Sequence, residues 1–371
     1  MAKKHEGGTA RKPKILHVIL DLNYGGMQKV VVRLVNATHQ ALENRVAVMS
    51  MGRDLVEELP DGVLVPFVQP RSRLSMLWPV RLAAVIRSEA PDIVHTHSGT
   101  WYKVAKAARQ AGVRHVVYTD HGRPYPESPV AVQFDRRASR RTGAVVAVSE
   151  QLEERLRQLV AYPDRVTTIL NGIDTGKFTP KIVDSFEGET VIGSVGRLDQ
   201  VKGFDVLIEA FARVRADSVR PVRLIIAGDG PCRDELERQI IARGLQEAVE
   251  LIGWCSDVPS FLQTLDIYCQ SSFSEGTPLS VLEAMSCGVC PVVTSVGGNP
   301  FVLGEPLAHR LVPPRDESSL ARALVDAVQD SDRRLLDGVV ARNRVVETFG
   351  VGQMARAYEA LYASLIQNGC Y

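Results

Sequence analysis

The sequence contains no apolar run long enough to cross a membrane as a helix. Such a helix needs about 18 consecutive apolar residues. The longest run near the N-terminus is 15–20, and His17 interrupts it. The basic start, with Lys3, Lys4, Arg11, Lys12 and Lys14, therefore has no apolar signal segment behind it. Residues 1–13 read as a disordered tail, and a cytoplasmic location is expected. Cysteine is also missing from the first 230 residues, and all six lie beyond them. Cys287 and Cys290 form one CxxC, with no second CxxC or paired histidine nearby. That argues against a four-ligand zinc site and for free, buried thiols in a reducing compartment. The first strand–helix turn lacks GxGxxG, which removes the dinucleotide fingerprint. Net charge is nearly absent too, at +1.

That balance hides an asymmetry. Residues 1–180 hold 26 Lys and Arg against 17 Asp and Glu; residues 181–371 hold 18 against 26. A basic half suits an anionic substrate or surface, although arginines such as Arg136, Arg137, Arg140 and Arg141 also decorate solvated helices. Apolar residues at 45% and charged residues at 23% describe a globular chain, and 371 residues suit two domains.

Short β-rich runs alternate with amphipathic stretches. Strands are expected at 14–20, 46–50, 64–67, 92–96, 115–119, 144–148 and 166–170. Helices are expected at 27–42, 74–89, 100–111, 129–141 and 149–161. Near-continuous apolar strands separated by helices predict a parallel sheet covered on both faces. Periodicity then lapses, and 176–189 reads as a linker between domains at 14–175 and 190–349. A second series follows, with strands at 190–196, 223–227, 249–252, 266–269, 291–294 and 310–312. Its helices are expected at 203–215, 231–243, 256–264, 279–287, 317–329 and 332–346, with a last one at 352–366. The fold class is α/β: two Rossmann-like βαβ domains facing a cleft.

Chemistry in such sheets gathers in loops at the carboxyl ends of strands. DLNYGGMQ at 21–28 places Gly25 and Gly26 where backbone can approach a ligand and a helix begins. HTHSG at 95–99 and TDHG at 119–122 place His95, His97 and His121 at a sheet edge. The His97 pair lacks the third and fourth ligands that a metal needs. In GRLDQVKG, 196–203, Arg197 and Lys202 flank a turn that opens a helix, an arrangement suited to a diphosphate. In SFSEGTPLSVLEAM, 272–285, Thr277 is expected as helix N-cap and Pro278 as the first helical residue. Glu275 then precedes the helix. Glu283 interrupts an apolar face of Leu279, Leu282, Ala284 and Met285, a costly place for a carboxylate without hydrogen bonds. No DxD pair accompanies the phosphate loop.

The Glu275-x7-Glu283 spacing, GRLDQVKGFDVLIEAF at 196–211, AGDGP at 227–231, NGID at 171–174 and the Gly25-Gly26 pair together resemble the family 4 retaining glycosyltransferases of the GT-B fold. The resemblance spans residues 14–366. HTHSG, the TDHG loop and VGGNP at 296–300 resemble the bacterial cell-surface polysaccharide type. One departure is SCGVCPVV at 286–293, a residue longer after Gly288 than the usual ACGxPVV.

The resemblance implies roles. Arg197 and Lys202 would hold a donor diphosphate, and Glu275 the hydroxyls of the transferred sugar. Backbone from Gly276 through Thr277 and Pro278 to Leu279 would lie near sugar and phosphate. Glu283 would hold ribose, and His121 would approach the donor sugar. Gly26 would close on the phosphates, with Gly25, His97 and Asn171 on the acceptor side. The implied catalytic set is His121, Glu275, Arg197 and Lys202. The donor is a UDP- or GDP-sugar, the acceptor a glycan, lipid-linked or small-molecule hydroxyl. Neither a metal nor another cofactor is expected, nor is nucleic acid. Front-face displacement would retain anomeric configuration, and a final helix at 350–371 would return to the first domain. A nucleotide-sugar 2-epimerase and a non-catalytic sugar-binding protein are the competing readings. The stretch 71–81 mixes Arg71, Arg73 and Arg81 with Leu, Met and Trp78, and suggests peripheral membrane contact.

Overall fold

The computed structural model describes residues 11–64, 78–122, 128–180 and 188–367. The chain forms two compact units, Met1–Gly172 with Gly352–Tyr371, and Ile173–Val351.

The first unit is built on β1 (Lys14–Ile19), α1 (Gly26–Thr38), β2 (Glu43–Val48), α2 (Val80–Glu89), β3 (Ile93–His97), α3 (Trp101–Ala111), β4 (His115–Asp120), α4 (Pro129–Ser139), β5 (Ala144–Ala147), α5 (Glu150–Leu159) and β6 (Val166–Thr168). Its sheet runs β2-β1-β3-β4-β5-β6, and every pairing is parallel. Side chains alternate between the two faces of a strand. Leu16, Val18 and Val94 therefore pack with Leu82, Ile86 and Val104 of α2 and α3. Ile19, Val46 and Val48 pack with Val31, Val32 and Val35 of α1. Of the strand expected at 64–67, Leu64 forms a bridge with Val46; 65–67 lie outside the described residues. Helix α1 stops at Thr38, four residues early, where the buried Thr38 hydroxyl bonds back to the Leu34 carbonyl. Helix α2 begins only at Val80, after Pro79.

The second unit contains β7 (Thr190–Val195), α6 (Phe204–Asp217), β8 (Val222–Ala227), α7 (Arg233–Ala242), β9 (Val249–Gly253), α8 (Val258–Gln263), β10 (Ile267–Gln270), α9 (Leu279–Ser286), β11 (Cys290–Thr294), α10 (Asn299–Leu303), β12 (Leu311–Val312), α11 (Glu317–Gln329) and α12 (Ser331–Thr348). The sheet order is β12-β11-β10-β7-β8-β9. A core of Phe204, Leu207, Phe211, Leu224, Ile226, Leu320 and Leu324 joins α6 and α11 to one face. The longer turn after Gly288 leaves β11 in regular register, with Ile267 opposite Cys290 and Gln270 opposite Val293. Helix α10 has no counterpart among the helices expected from the sequence.

Residues 173–180 are packed into the second unit rather than forming the start of a free linker. Ile173 donates to the Phe349 carbonyl at 2.7 Å and accepts from Val351 at 2.9 Å. Arg342 donates to the carbonyls of Thr175, Phe178 and Ser286. Helix α13 (Val351–Gln367) then returns to the first unit. It buries Met354, Tyr358, Tyr362 and Leu365.

Candidate active site

In the second unit the chain turns outward from β7 in two directions, to β8 on one side and β10 on the other. Ligands of open parallel sheets bind outside the carboxyl ends at such a switch point. The loops after β7 and β10 carry Arg197, Lys202, Glu275 and Thr277. Lys202 Nζ donates to Glu275 Oε1 at 2.7 Å, and the Ser272 hydroxyl donates to the same oxygen at 2.6 Å. The two side chains expected to hold diphosphate and sugar thus meet each other. Arg197 is largely exposed, its Nε 4.0 Å from Asp199 Oδ2.

Two glycines make this convergence sterically feasible. Gly203 has φ +62°, and a Cβ there would collide with the Ser271 carbonyl oxygen. Gly297 has φ +52°, and its Cβ would collide with the Glu275 carbonyl oxygen. The VGGNP loop therefore braces Glu275 from behind through backbone contact.

Helix α9 begins at Leu279, not Pro278; Pro278 occupies the cap position, and no side chain caps the helix. Thr277 fails as N-cap because its carbonyl takes the Leu279 N–H in a tight turn. That bond also removes the Leu279 N–H from the set of free donors. The Thr277 hydroxyl oxygen and Asp199 Oδ1 are buried and have no hydrogen-bond partner among the described residues. Glu283 is 3% exposed on α9, as its apolar surroundings required. The buried Tyr268 hydroxyl is pushed above its ordinary range by burial, and further by the negative charges of Glu275 and Glu283. One ring thus senses both carboxylates.

The first unit has its own switch point between β1 and β3. Gly25 caps α1 in extended backbone, and the first turn of α1, from Gly26, holds no acidic residue. Its N–H groups and positive dipole end face the carboxyl edge. His17, His95, His97 and Thr119 share one sheet face, because His17 pairs with His95 and His97 with Thr119, and His121 reaches His97 from the loop after β4. His97 is not available to an acceptor. It is 1% exposed, with Nε2 3.3 Å from His17 Nδ1 and Nδ1 3.0 Å from His121 Nε2. His95 bonds the Tyr362 hydroxyl at 2.7 Å and Thr119 Oγ1 at 2.8 Å, and Thr119 bonds the Tyr358 hydroxyl at 3.0 Å. This network anchors α13. Asn171 is buried three residues after β6, the edge strand of the sheet.

The loop carrying His121 is fixed by Asp120, which accepts from the Tyr118 hydroxyl, the Ser98 hydroxyl and the Gly122 N–H. Ser98 in turn accepts from the His121 N–H at 2.9 Å. Burial lowers His17 to about 4. It lowers His121 to about 4 as well, against the opposing pull of Asp120. His95 and His97 also fall, first by burial and then by mutual repulsion among the histidines. All four rings are neutral at pH 7.

His17 is the third histidine that sequence reasoning missed beside His95 and His97. Each of the three offers one ligand atom within 4.8 Å of the others. Their ring nitrogens are already committed to one another and to Asn44, Thr119 and Tyr362, so the cluster is satisfied as a hydrogen-bond network.

Two family models cover most of the chain end to end. "Glycosyltransferase Family 4" matches residues 24–177 and "Glycosyl transferases group 1" matches 177–336. The chain belongs to glycosyltransferase family 4. A similar protein is the Escherichia coli UDP-Gal:alpha-D-GlcNAc-diphosphoundecaprenol alpha-1,3-galactosyltransferase, 27% identical over 97% of this chain and 99% of that one. Another is the alpha-maltose-1-phosphate synthase of Mycolicibacterium smegmatis, 28% identical over 91% of this chain and 95% of that one. HepE from Anabaena, solved in complex with UDP, shares the fold at TM-score 0.83 and 21% identity, covering 95% of this glycosyltransferase and all of that chain. The doubly wound units described above are thus those of a GT-B glycosyltransferase.

Proposed function

We propose that this enzyme transfers a hexose from UDP- or GDP-sugar to an acceptor hydroxyl, retaining anomeric configuration and using no metal ion. The observation that carries this reading is the Lys202–Glu275 pair at the switch point, 2.7 Å apart. A diphosphate draws Lys202 toward itself, and Arg197 adds a second charged donor. Glu275 is then released to accept sugar hydroxyls, Glu283 holds ribose, and Thr277 bonds donor oxygen. Fixed cations and dipoles stabilise charge developing on the leaving diphosphate without reorganising. A phosphate oxygen of the donor takes the acceptor's proton, so no protein nucleophile is required. The E. coli relative's name includes UDP-Gal and HepE was solved with UDP, and both favour a UDP donor.

The test is nucleotide binding and slow donor hydrolysis, both in EDTA. Arg197→Ala and Lys202→Ala should each weaken UDP or GDP binding about tenfold or more, since a charged hydrogen bond is worth about 1.5–3 kcal/mol. Wild-type affinity in both variants refutes the phosphate assignment. Activity lost in EDTA and restored by Mn²⁺ refutes metal independence.

Contact with a lipid-linked acceptor at a membrane surface belongs to the same proposal. Trp78 and Val80 are exposed, at 63% and 64%, at the head of α2. Residues 71–77, the rest of the basic and apolar stretch, lie outside the described residues. No helix among the described residues is long and apolar enough to cross a membrane. The protein should float with anionic liposomes at low salt and less at high salt; sedimentation in both, or unchanged flotation with Trp78→Ser and Arg81→Glu, refutes the contact.

A further inference from the structure

The histidines of the first unit form a directed chain. Asn44 Nδ2 donates to the Val35 carbonyl at 3.2 Å and to Thr38 Oγ1 at 2.9 Å. The Thr38 hydroxyl spends its own hydrogen on the Leu34 carbonyl at 2.8 Å, so it accepts from Asn44. A carbonyl and an occupied hydroxyl cannot face an amide oxygen. The Asn44 amide is therefore held one way round, with Oδ1 toward His17 Nε2 at 3.3 Å. An oxygen there only accepts, so His17 carries its hydrogen on Nε2.

The rest follows by exclusion. A neutral imidazole has one N–H and one bare nitrogen. With hydrogen on Nε2, His17 Nδ1 is bare and accepts from His97 Nε2, 3.3 Å away. His97 Nδ1 is then bare and accepts from His121 Nε2 at 3.0 Å. His121 Nδ1 ends the chain as a bare lone pair. It is the one ring nitrogen of the four without a partner among the described residues, and it is buried. Reversing every proton would set His17 Nε2 against Asn44 Oδ1, two acceptors face to face in a site that is 0% exposed at His17 and 3% at Asn44. Burial keeps all of these rings neutral, which the exclusion requires. His95 stands outside the chain, its nitrogens turned to Tyr362 and Thr119.

We propose that Asn44, acting through His17 and His97, is a positioning residue that locks His121 in the tautomer with a bare Nδ1, so that the free nitrogen of His121 accepts a hydrogen bond and cannot give one. The tautomer is a property of the free protein, and it holds or fails whatever substrate the enzyme uses.

The experiment is NMR of the full chain with ¹⁵N-labelled histidine, where couplings from ring carbons to nitrogens report which nitrogen carries hydrogen. His17, His97 and His121 should each appear neutral with the hydrogen on Nε2. Hydrogen on Nδ1 of His97 or His121 overturns the proposal. Asn44→Leu should let the His121 signals move toward a mixture of tautomers; an unchanged His121 tautomer in the folded variant overturns the role of Asn44. The wild-type measurement decides the chain direction even if that variant does not fold.

Discussion

Glu275→Ala should lower sugar transfer by about a hundredfold or more, the scale on which a misplaced reactant loses rate, while UDP binds as tightly as before or slightly tighter. The sign on the nucleotide is the informative part. Among the described residues Lys202 is the ion-pair partner of Glu275, at 2.7 Å. Removing the carboxylate leaves an ammonium that must find another anion, and a diphosphate is the proposed one. Lys202→Ala therefore weakens UDP binding and Glu275→Ala does not. If Glu275 served only to hold Lys202 in place, both variants would weaken UDP together. Thermal stability should barely separate them, because the side chains keep 25% and 10% of their exposure and ion pairs near the surface contribute about 0–1 kcal/mol. Measuring UDP affinity and turnover for the two single variants and the double variant isolates the coupling. Turnover within tenfold of wild type in Glu275→Ala, or parallel loss of UDP affinity in both single variants, sinks the assignment.

How much of this was legible in the sequence depends on the range of the interaction concerned. Loops after strands were readable, because β-rich runs such as KILHVI and VRLIIA announce themselves and the polar residue types behind them stand out. Element ends were less so. Helix α1 is shorter than its pattern suggests because residues 39–42 keep a helical look, whereas the stop at Thr38 is set by its bond to Leu34 and by Asn44 reaching it from β2. The cap of α9 misleads because Thr-Pro is a common helix opening, and nothing local shows that the Thr277 carbonyl will take the Leu279 N–H. The histidine chain was out of reach for a different reason. HTHSG already put His95 and His97 together at a sheet edge. Placing His17 beside them needs the order β2-β1-β3, which parallel pairing across 78 residues of sequence decides. Tyr358 and Tyr362 lie on the buried side of α13, and their hydroxyls bond Thr119 and His95 of the sheet, partners more than 230 residues away in sequence.

Mild acid should unfold the first unit before the second. A histidine whose folded pKa lies below its unfolded value binds fewer protons folded than unfolded between those two values. Stability therefore rises with pH across that window and is lost as pH falls through it. For His17 the window runs from 6.5 down to about 4. That displacement alone corresponds to about 3 kcal/mol, for a ring that is 0% exposed. His95, His97 and His121 shift in the same direction. Their losses do not simply add, because one protonated ring raises the cost of the next and can also turn the hydrogen-bond chain around. Even one such term is a large share of the roughly 5–15 kcal/mol that holds a domain folded. The second unit has a single histidine, His309. Its shifted carboxylates act at lower pH: Asp257 and Asp316 lie below the ordinary Asp value, so what they contribute is lost only as pH drops beyond the histidine window. Amide hydrogen exchange read by mass spectrometry from pH 7 to pH 4 follows both units in one sample. Protection should collapse first in β1, β3 and β4 and in α13, which the histidine network pins, while β7, β8 and β10 remain protected. Equal loss in both units, or a first unit whose protection is flat from pH 6.5 to about 4.5, would show that the buried histidines are not held neutral at a cost to folding.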